Sequence, residues 1–220
     1  MRSYRYSIAT FPSKWKSTSC LLAATRQRGL TLLELLVTLA VVAIVISIGA
    51  PSLSGGLNDS RLRTSANSLQ SSLSAARSTA VAKGVVVTVC ISTSGETCAT
   101  DSDWAEGWMV FIDKGTIGTV DAADTDLSTA SASDQRVLVQ QSVGESVTVV
   151  AKSSTGGALN YISFQPTGFT KNADGQFQSG SFLFCDDRGD AAASKRRVVR
   201  IGAAGASRVS EPLDGEECSG

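Results

Sequence analysis

Hydrophobic and polar positions follow two different periods along this chain, one before Gly84 and one after it. Before Gly84, apolar side chains recur at spacings of three and four over about residues 58–83. This spacing predicts an amphipathic helix with one apolar stripe that packs on a sheet, and Gly84 is suited to end it. The stripe consists of Leu62, Ala66, Leu69, Leu73, Ala76 and Ala80.

Beyond Gly84, short β-branched or aromatic runs alternate with turns rich in Gly, Ser and Asp. A helix followed by many strands predicts an α+β fold with antiparallel sheet. The acidic connection 113–135 is the longest, and it is either a variable surface loop or a partner contact. The predicted strands are 85–93, 107–113, 136–141, 146–150, 160–164, 181–185 and 196–202.

An uncharged run of 24 residues, 35–58, precedes the amphipathic segment. As a helix it measures roughly 36 Å, against roughly 30 Å for a bilayer core, so a transmembrane helix is predicted over residues 30–57. Pro51 favours a kink near its end. Residues 1–29 carry six basic side chains and no acid, which places them in the cytoplasm and the remainder across the membrane.

Composition excludes several kinds of chemistry. The chain has no histidine, so Ser-His-Asp and Cys-His machinery is absent and a zinc site has few ligands. No paired-carboxylate motif is evident either. The sequence therefore predicts a protein that is not an enzyme and has no cofactor or metal. From Leu30 onward, 14 basic and 20 acidic residues give a net charge of −6.

The apolar run contains one acid near its start, Glu34. A carboxylate in hydrocarbon costs a few kcal/mol, less near a helix end than at its centre. One interpretation is a cleaved secretory signal ending near "SIGAPS", which leaves Glu34 unexplained. Another is that Glu34 reaches the lipid headgroups.

Gly29, then "LTLLE" (30–34), then a long apolar helix resembles the class III signal of type IV pilins and type II secretion pseudopilins. The resemblance implies that a prepilin peptidase cuts between Gly29 and Leu30, and that the Leu30 amine is methylated. It also implies that Glu34 pairs with the free amine of a neighbouring subunit during filament assembly. The family more often has phenylalanine at the first mature position, and the leader 1–29 is long, which leaves the translation start open.

Three further motifs resemble the body of the GspH/FimT pseudopilin family: "WAEGWMVFID" (104–113), "ISFQPTG" (162–168) and "GSFLFCD" (180–186). The likeness then covers almost the whole mature chain. It implies a pilin-like fold whose globular domain spans 84–220, in a single-pass inner-membrane protein with that domain in the periplasm. The implied function is a structural subunit, a minor pilin or pseudopilin whose partners are other pilins. Type II secretion and type IV pili remain alternatives.

Five cysteines are present, and removal of Cys20 with the leader leaves four. Cys90 and Cys98 enclose a short polar loop, so a local bridge is expected. Cys185 and Cys218 then tie the tail to the last predicted hairpin. The loop-entropy model gives these bridges roughly 2.5 and 4 kcal/mol.

A basic stretch near the C-terminus suggests a second function class, DNA capture for natural transformation. DNA-binding FimT proteins carry a Gly-Arg-x-Arg motif, where this chain has Gly205-Ala206-Ser207-Arg208. The alternative is the solvent face of a strand whose Val198 and Ile201 pack inward. The candidate DNA-binding residues are Lys195, Arg196, Arg197, Arg200 and Arg208.

Overall fold

The computed structural model describes residues 31–121, 134–144, 146–188 and 196–218, without the side chains of 48–54. The chain divides into two compact units, Met1–Ser47 and Ile48–Gly220. One helix, α1 (Leu32–Lys83), begins in the first unit and ends in the second.

Within these described residues, no helix is both long enough and apolar enough to cross a membrane. The predicted transmembrane segment includes positions outside the description, so it stays a prediction. The leader lies outside it entirely. The domain limits 1–29, 30–57, 58–83 and 84–220 likewise stay predictions.

Eight strands follow α1 in the second unit, and they form two four-stranded antiparallel sheets. They are β1 (Val87–Ile91), β2 (Gly107–Ile112), β3 (Gln135–Gln141), β4 (Val147–Ser153), β5 (Tyr161–Phe164), β6 (Gly180–Asp186), β7 (Arg197–Ile201) and β8 (Ser207–Ser210). Sheet A has the order β3-β2-β1-β5, and sheet B has the order β4-β6-β7-β8. A short 3₁₀-helix, Trp104–Glu106, precedes β2.

The α+β fold class is confirmed, and all seven predicted strands are present with ends within three residues of the prediction. The eighth strand, β8, was missed. Its sequence Ser-Arg-Val-Ser has one β-branched residue and is too short to show a period. Antiparallel pairing with β7, not its own composition, makes it a strand. The division into two sheets was also not predicted.

The apolar stripe of α1 is buried as predicted, and each of its six residues is at most 1% exposed. It packs in one core with inward-facing residues of both sheets, among them Val89 of sheet A and Phe184 of sheet B. Full burial of a leucine contributes about 1.5–3 kcal/mol. The second half of α1 therefore holds the two sheets together.

Two tryptophans complete this core, and the polar atom of each has a partner. The Trp104 indole N–H donates to the Leu159 carbonyl at 2.7 Å, and that of Trp108 donates to the Ser72 hydroxyl at 3.0 Å. The Trp104 ring meets Phe182 edge to face, with centroids 4.9 Å apart. Satisfied N–H groups let both indoles be buried without an unpaired donor.

Arg188 links α1 to the end of β6. Its guanidinium donates to Asp59 at 2.8 Å and to Asp186, which raises the pKa of the arginine above its usual value through these hydrogen bonds. The three residues form a charged clasp at the rim of the core. Because Arg188 is about a quarter exposed, solvent screens this contribution.

Two turns meet at the other end of the α1 stripe. In the turn at 166–168, the Gly168 N–H donates to the Gln165 carbonyl at 2.8 Å, and Gly168 has φ +81°. Its carbonyl accepts from Arg77 Nε at 3.2 Å. Gly205, in the β7–β8 turn, has φ +73° and lies directly against the same carbonyl. This close approach leaves no space for a side chain at position 205.

We expect Gly205→Ala to destabilise the protein, because a Cβ there would lie 2.0 Å from the Gly168 carbonyl oxygen. The positive φ alone costs about 1–2 kcal/mol for a residue with a Cβ. Thermal unfolding of the full chain in a nonionic detergent should therefore show a Tm lower by at least about 3 °C. Gly202→Ala in the same turn is the control, since its Cβ meets nothing within 4 Å. Equal Tm values for the two variants would contradict the close approach.

Candidate functional site

The first turn of α1 positions the acid of the predicted assembly signal. The Thr31 carbonyl accepts from the Leu35 N–H at 3.1 Å, and the Thr31 hydroxyl accepts from the Glu34 N–H at 3.2 Å. Thr31 is therefore the N-cap, and Glu34 is the third helical residue, in the T-x-x-E spacing of a capping box. A negative side chain there also complements the positive end of the helix dipole. Gly29 and Leu30 lie outside the described residues.

The helix that follows Glu34 presents apolar side chains on every side. Eleven large apolar residues between Leu32 and Ile46 are at least half exposed. The two hydroxyls of this stretch that bond along the helix, Thr38 and Ser47, donate to the carbonyls three residues earlier. Their polar groups are thereby satisfied by the helix itself. A helix that is apolar all round needs lipid or other helices to cover it.

Both predicted disulfides are present. Cys90–Cys98 has a Cα–Cα distance of 5.6 Å and joins the end of β1 to the loop that follows it. Cys185–Cys218 has a Cα–Cα distance of 6.0 Å and ties the C-terminal tail to β6. Together they pair all four cysteines that remain after Cys20.

The structure places the predicted basic residues in different surroundings instead of one patch. Arg196 is buried and donates to the Glu216 carbonyl at 2.8 Å. Arg197 donates to the Arg196 carbonyl at 2.7 Å. Arg200 pairs with Glu216 Oε2 at 2.6 Å, whereas Arg208 on β8 is exposed. Lys195 lies outside the described residues.

The two faces of β7 explain this dispersal. Val199 and Ile201 pack in the core with α1, so Arg197 shares their face, near Arg63. Val198 packs on the opposite face in a small cluster with Leu183 and Cys185. The alternative in which Val198 and Ile201 pack inward together is wrong, because residues three apart on a strand point to opposite faces. DNA binding stays a prediction: Arg200 and Arg208 share one face of sheet B, whereas Arg197 is on the other.

A cationic row that sequence reasoning missed crosses sheet B on the face away from α1. Lys152 is opposite Ser181, Ser181 is opposite Arg200, and Arg200 is opposite Arg208. Lys152 is 48 positions from Arg200 in the chain, and no local pattern connects them. Only the register of four strands brings these side chains to one face.

Two buried carboxylates anchor the described ends of the acidic loop. Asp134 accepts from the Lys114 N–H at 2.9 Å and from the Asp121 N–H at 3.0 Å. Asp113 Oδ2 accepts from the Thr88 hydroxyl at 2.6 Å and from the Gly118 N–H at 2.8 Å. Its Oδ1 is buried and has no partner among the described residues. Burial raises the pKa of Asp113, and the two hydrogen bonds only partly oppose this.

Residues 122–133 of this loop lie outside the described residues, so its role as a surface loop or partner contact stays open. In the part of the chain with described side chains, no group of three His, Cys, Asp or Glu residues is arranged to hold a metal ion.

An apolar N-terminal helix with an acid in its first turn, continuing into an α+β domain, defines a pilin-like subunit. The family described as "Type II transport protein GspH" matches residues 65–205, and the chain belongs to this family. The prokaryotic N-terminal methylation motif matches residues 24–50, which indicates a prepilin-like subunit anchored in the inner membrane. The protein is thus a minor pilin or pseudopilin of a type IV pilus or type II secretion system.

Among solved structures, two crystal forms of the type IV minor pilin FimU from Pseudomonas aeruginosa (strain PAO1) are 19% and 20% identical to this chain. They cover 72% and 68% of it and each 92% of their own chain, with TM-scores of 0.44 and 0.43. The minor pseudopilin EpsH from the Type 2 Secretion System of Vibrio cholerae is 11% identical, covering 71% of this chain and 99% of its own, with a TM-score of 0.43. A search of curated proteins found no match.

We expect stability to depend on the charge of Asp113. A raised pKa means that the folded state favours the protonated acid, so its stabilising contribution is full below the unfolded pKa, about 3.9, and is lost as pH rises through the folded pKa. Asp113→Asn stays uncharged, and its amide oxygen can accept the same two hydrogen bonds. The unfolding free energy of the variant minus that of wild type should therefore rise from pH 4 to pH 7.

Denaturant unfolding of the full chain at several pH values measures this difference. Asp101→Asn removes an exposed carboxylate and is the control, since that side chain meets water in both states. A difference for Asp113→Asn that is flat or falls with pH would show that burial does not control this group.

Proposed function

We propose that the chain works as a non-enzymatic structural subunit, made as an inner-membrane precursor and then incorporated into a pilus or pseudopilus through its apolar helix. The observation that carries this proposal is the exposure of the first half of α1. Its apolar surface has no cover within the described chain, whereas the second half buries its stripe under two sheets. Exposed apolar area of this extent marks a membrane or protein contact.

The energetic cost of the Glu34 carboxylate differs between a bilayer and a filament. Alone in lipid its carboxylate costs a few kcal/mol, and a neighbouring cation offsets that cost only when subunits assemble. This cation is the free amine of Leu30 in the next subunit. A prepilin peptidase exposes that amine by cutting after Gly29, and the amine is methylated afterwards. The partners are therefore other pilins and the peptidase.

The proposal also assigns each segment of the chain to a compartment. Residues 1–29 form the cytoplasmic leader, 30–57 the membrane helix and 58–83 the periplasmic half of the helix. The domain 84–220 lies in the periplasm. Two complete disulfides support that location, because disulfides form and persist in oxidising compartments.

Cleavage between Gly29 and Leu30 is the first test. Mass spectrometry of the protein extracted from membranes should give an N-terminus at Leu30 carrying a methyl group. A Gly29→Val variant should keep the leader, because the small residue at the cut is part of the signal. An N-terminus at Met1, or one just after Ala50 as for a secretory signal, would refute the proposed processing.

The second test is incorporation of Glu34→Ala into filaments beside wild-type partners. The variant should insert normally but enter sheared or crosslinked filaments less, because the amine of the neighbour loses its partner. The helix cap should survive, since Thr31 bonds the backbone N–H of residue 34 and not its side chain. Thr38→Ala, a polar truncation in the same exposed segment, is the control. Equal incorporation of both variants would leave Glu34 as a headgroup contact only.

A further inference from the structure

The cationic row on sheet B borders a cleft of about 520 Å³ at one end of its four strands. Three of its residues are basic, Lys152, Arg200 and Arg208, and the other polar side chains that line it are serines. Among the residues that the structure describes, no carboxylate lines the cleft. It therefore offers positive charge and hydroxyl donors over four strands.

The positive charge of the row is only partly balanced among the described residues, since Glu216 pairs with Arg200 alone. Arg200 and Arg208 are directly opposite each other on neighbouring strands, and like charges in that position destabilise a sheet. Among the described residues, Lys152 and Arg208 have neither an ion pair nor a hydrogen bond from their side chains. Two of the three charges therefore lack a counter-charge within the described part of the chain.

The third cation, Arg200, binds a carboxylate within the chain. Glu216, in the tail held by Cys185–Cys218, places its carboxylate 2.6 Å from the Arg200 guanidinium. The same carboxylate accepts from the Leu213 N–H at 2.7 Å, so it is presented on a turn of peptide. The segment 211–217 that delivers it contains four acids. An acidic segment of the chain therefore already pairs with the middle cation of the row, between Lys152 and Arg208.

We propose that the cleft binds an acidic peptide segment of a partner protein, whose carboxylates pair with Lys152 and Arg208. The serine hydroxyls donate to the same carboxylates or to backbone carbonyls of the segment. Glu216 limits this site by keeping Arg200 occupied. The inference is independent of the filament role proposed above, because it rests on the outer face of sheet B and not on α1.

Charge favours an acidic peptide over nucleic acid. The mature chain is net negative, and this repels a long polyanion more strongly than a short segment that carries only a few acids. Arg196 is turned to the tail and Arg197 shares the opposite face of β7, so neither extends the row. Lys152 and Arg208 lie beside several serine hydroxyls. Two cations suit a short segment with a few carboxylates better than the repeated phosphates of a duplex.

The experiment uses the full-length protein in a nonionic detergent and a short fluorescein-labelled peptide with glutamates at alternate positions. Alternation places its carboxylates on one side of an extended chain. Fluorescence anisotropy at low salt should show binding that weakens as salt rises, and the glutamine analogue of the peptide should not bind. Lys152→Gln with Arg208→Gln should weaken binding about tenfold or more.

The matched control is Arg61→Gln with Arg63→Gln, which removes the same charge from exposed positions on α1. It should change the affinity by less than about twofold, as expected for screened charges at a distance. Glu216→Gln should strengthen binding severalfold, because it releases Arg200. Lys152→Arg with Arg208→Lys keeps both charges and should retain binding, which separates loss of the site from loss of folding.

Four outcomes would overturn the proposal. One is absence of peptide binding at low salt, and another is an equal loss in the α1 control. The third is displacement of the peptide by duplex DNA at lower concentration than by unlabelled acidic peptide, which would assign the cleft to nucleic acid. The fourth is displacement by inorganic phosphate alone at equally low concentration, which would assign it to a small oxyanion.

Discussion

The buried stripe on the second half of α1 is the constraint on which the rest of the domain depends. Its leucines and alanines meet inward-facing residues from both sheets, so one helix face supplies the shared core. Truncation of such a buried leucine typically costs about 2–5 kcal/mol, a large part of the stability of an ordinary domain. The alanines of the stripe and both tryptophans, Trp104 and Trp108, are buried in this same core.

This packing also determines what each face of sheet B can do. The face toward α1 must be apolar, which places Phe182, Phe184 and Val199 inside. The opposite face carries a small apolar cluster covered by the disulfide-bonded tail and, next to it, the cationic row. Because the tail supplies both the cover and the carboxylate of Glu216, the second disulfide stabilises the packing and limits the charge of the outer face.

The two halves of α1 differ in where their apolar side chains lie. In the second half, one stripe is apolar and its own domain buries it. In the first half, the surface is apolar all round and its only acid lies one turn from the start, where Thr31 caps the helix. A helix of this kind gains most of its stability from what surrounds it, and the described residues leave the apolar side chains of the first half exposed.

Local patterns in the sequence were enough for the helix stripe, seven strands, both disulfides and the prepilin-like signal. Most of these depend on residues close together in the chain: a period of three and four, a β-branched run, two cysteines around a short loop, or an acid five residues after a glycine. The second disulfide joins cysteines 33 positions apart, and it was expected because Cys185 and Cys218 remain once Cys90 and Cys98 pair. The T-x-x-E spacing at Thr31 is also a local signal for a helix N-cap, although no cap was predicted there.

Tertiary structure alone decided β8, the division into two sheets and the separate fates of the arginines. Arg196 is buried because the tail folds back over it. Arg197 and Arg200 lie on opposite faces of β7 because they are three positions apart on a strand. Lys152 joined Arg208 because four strands are in register across sheet B. Strand register is a long-range property set by which surfaces must be buried, and a sequence read in short windows does not contain it.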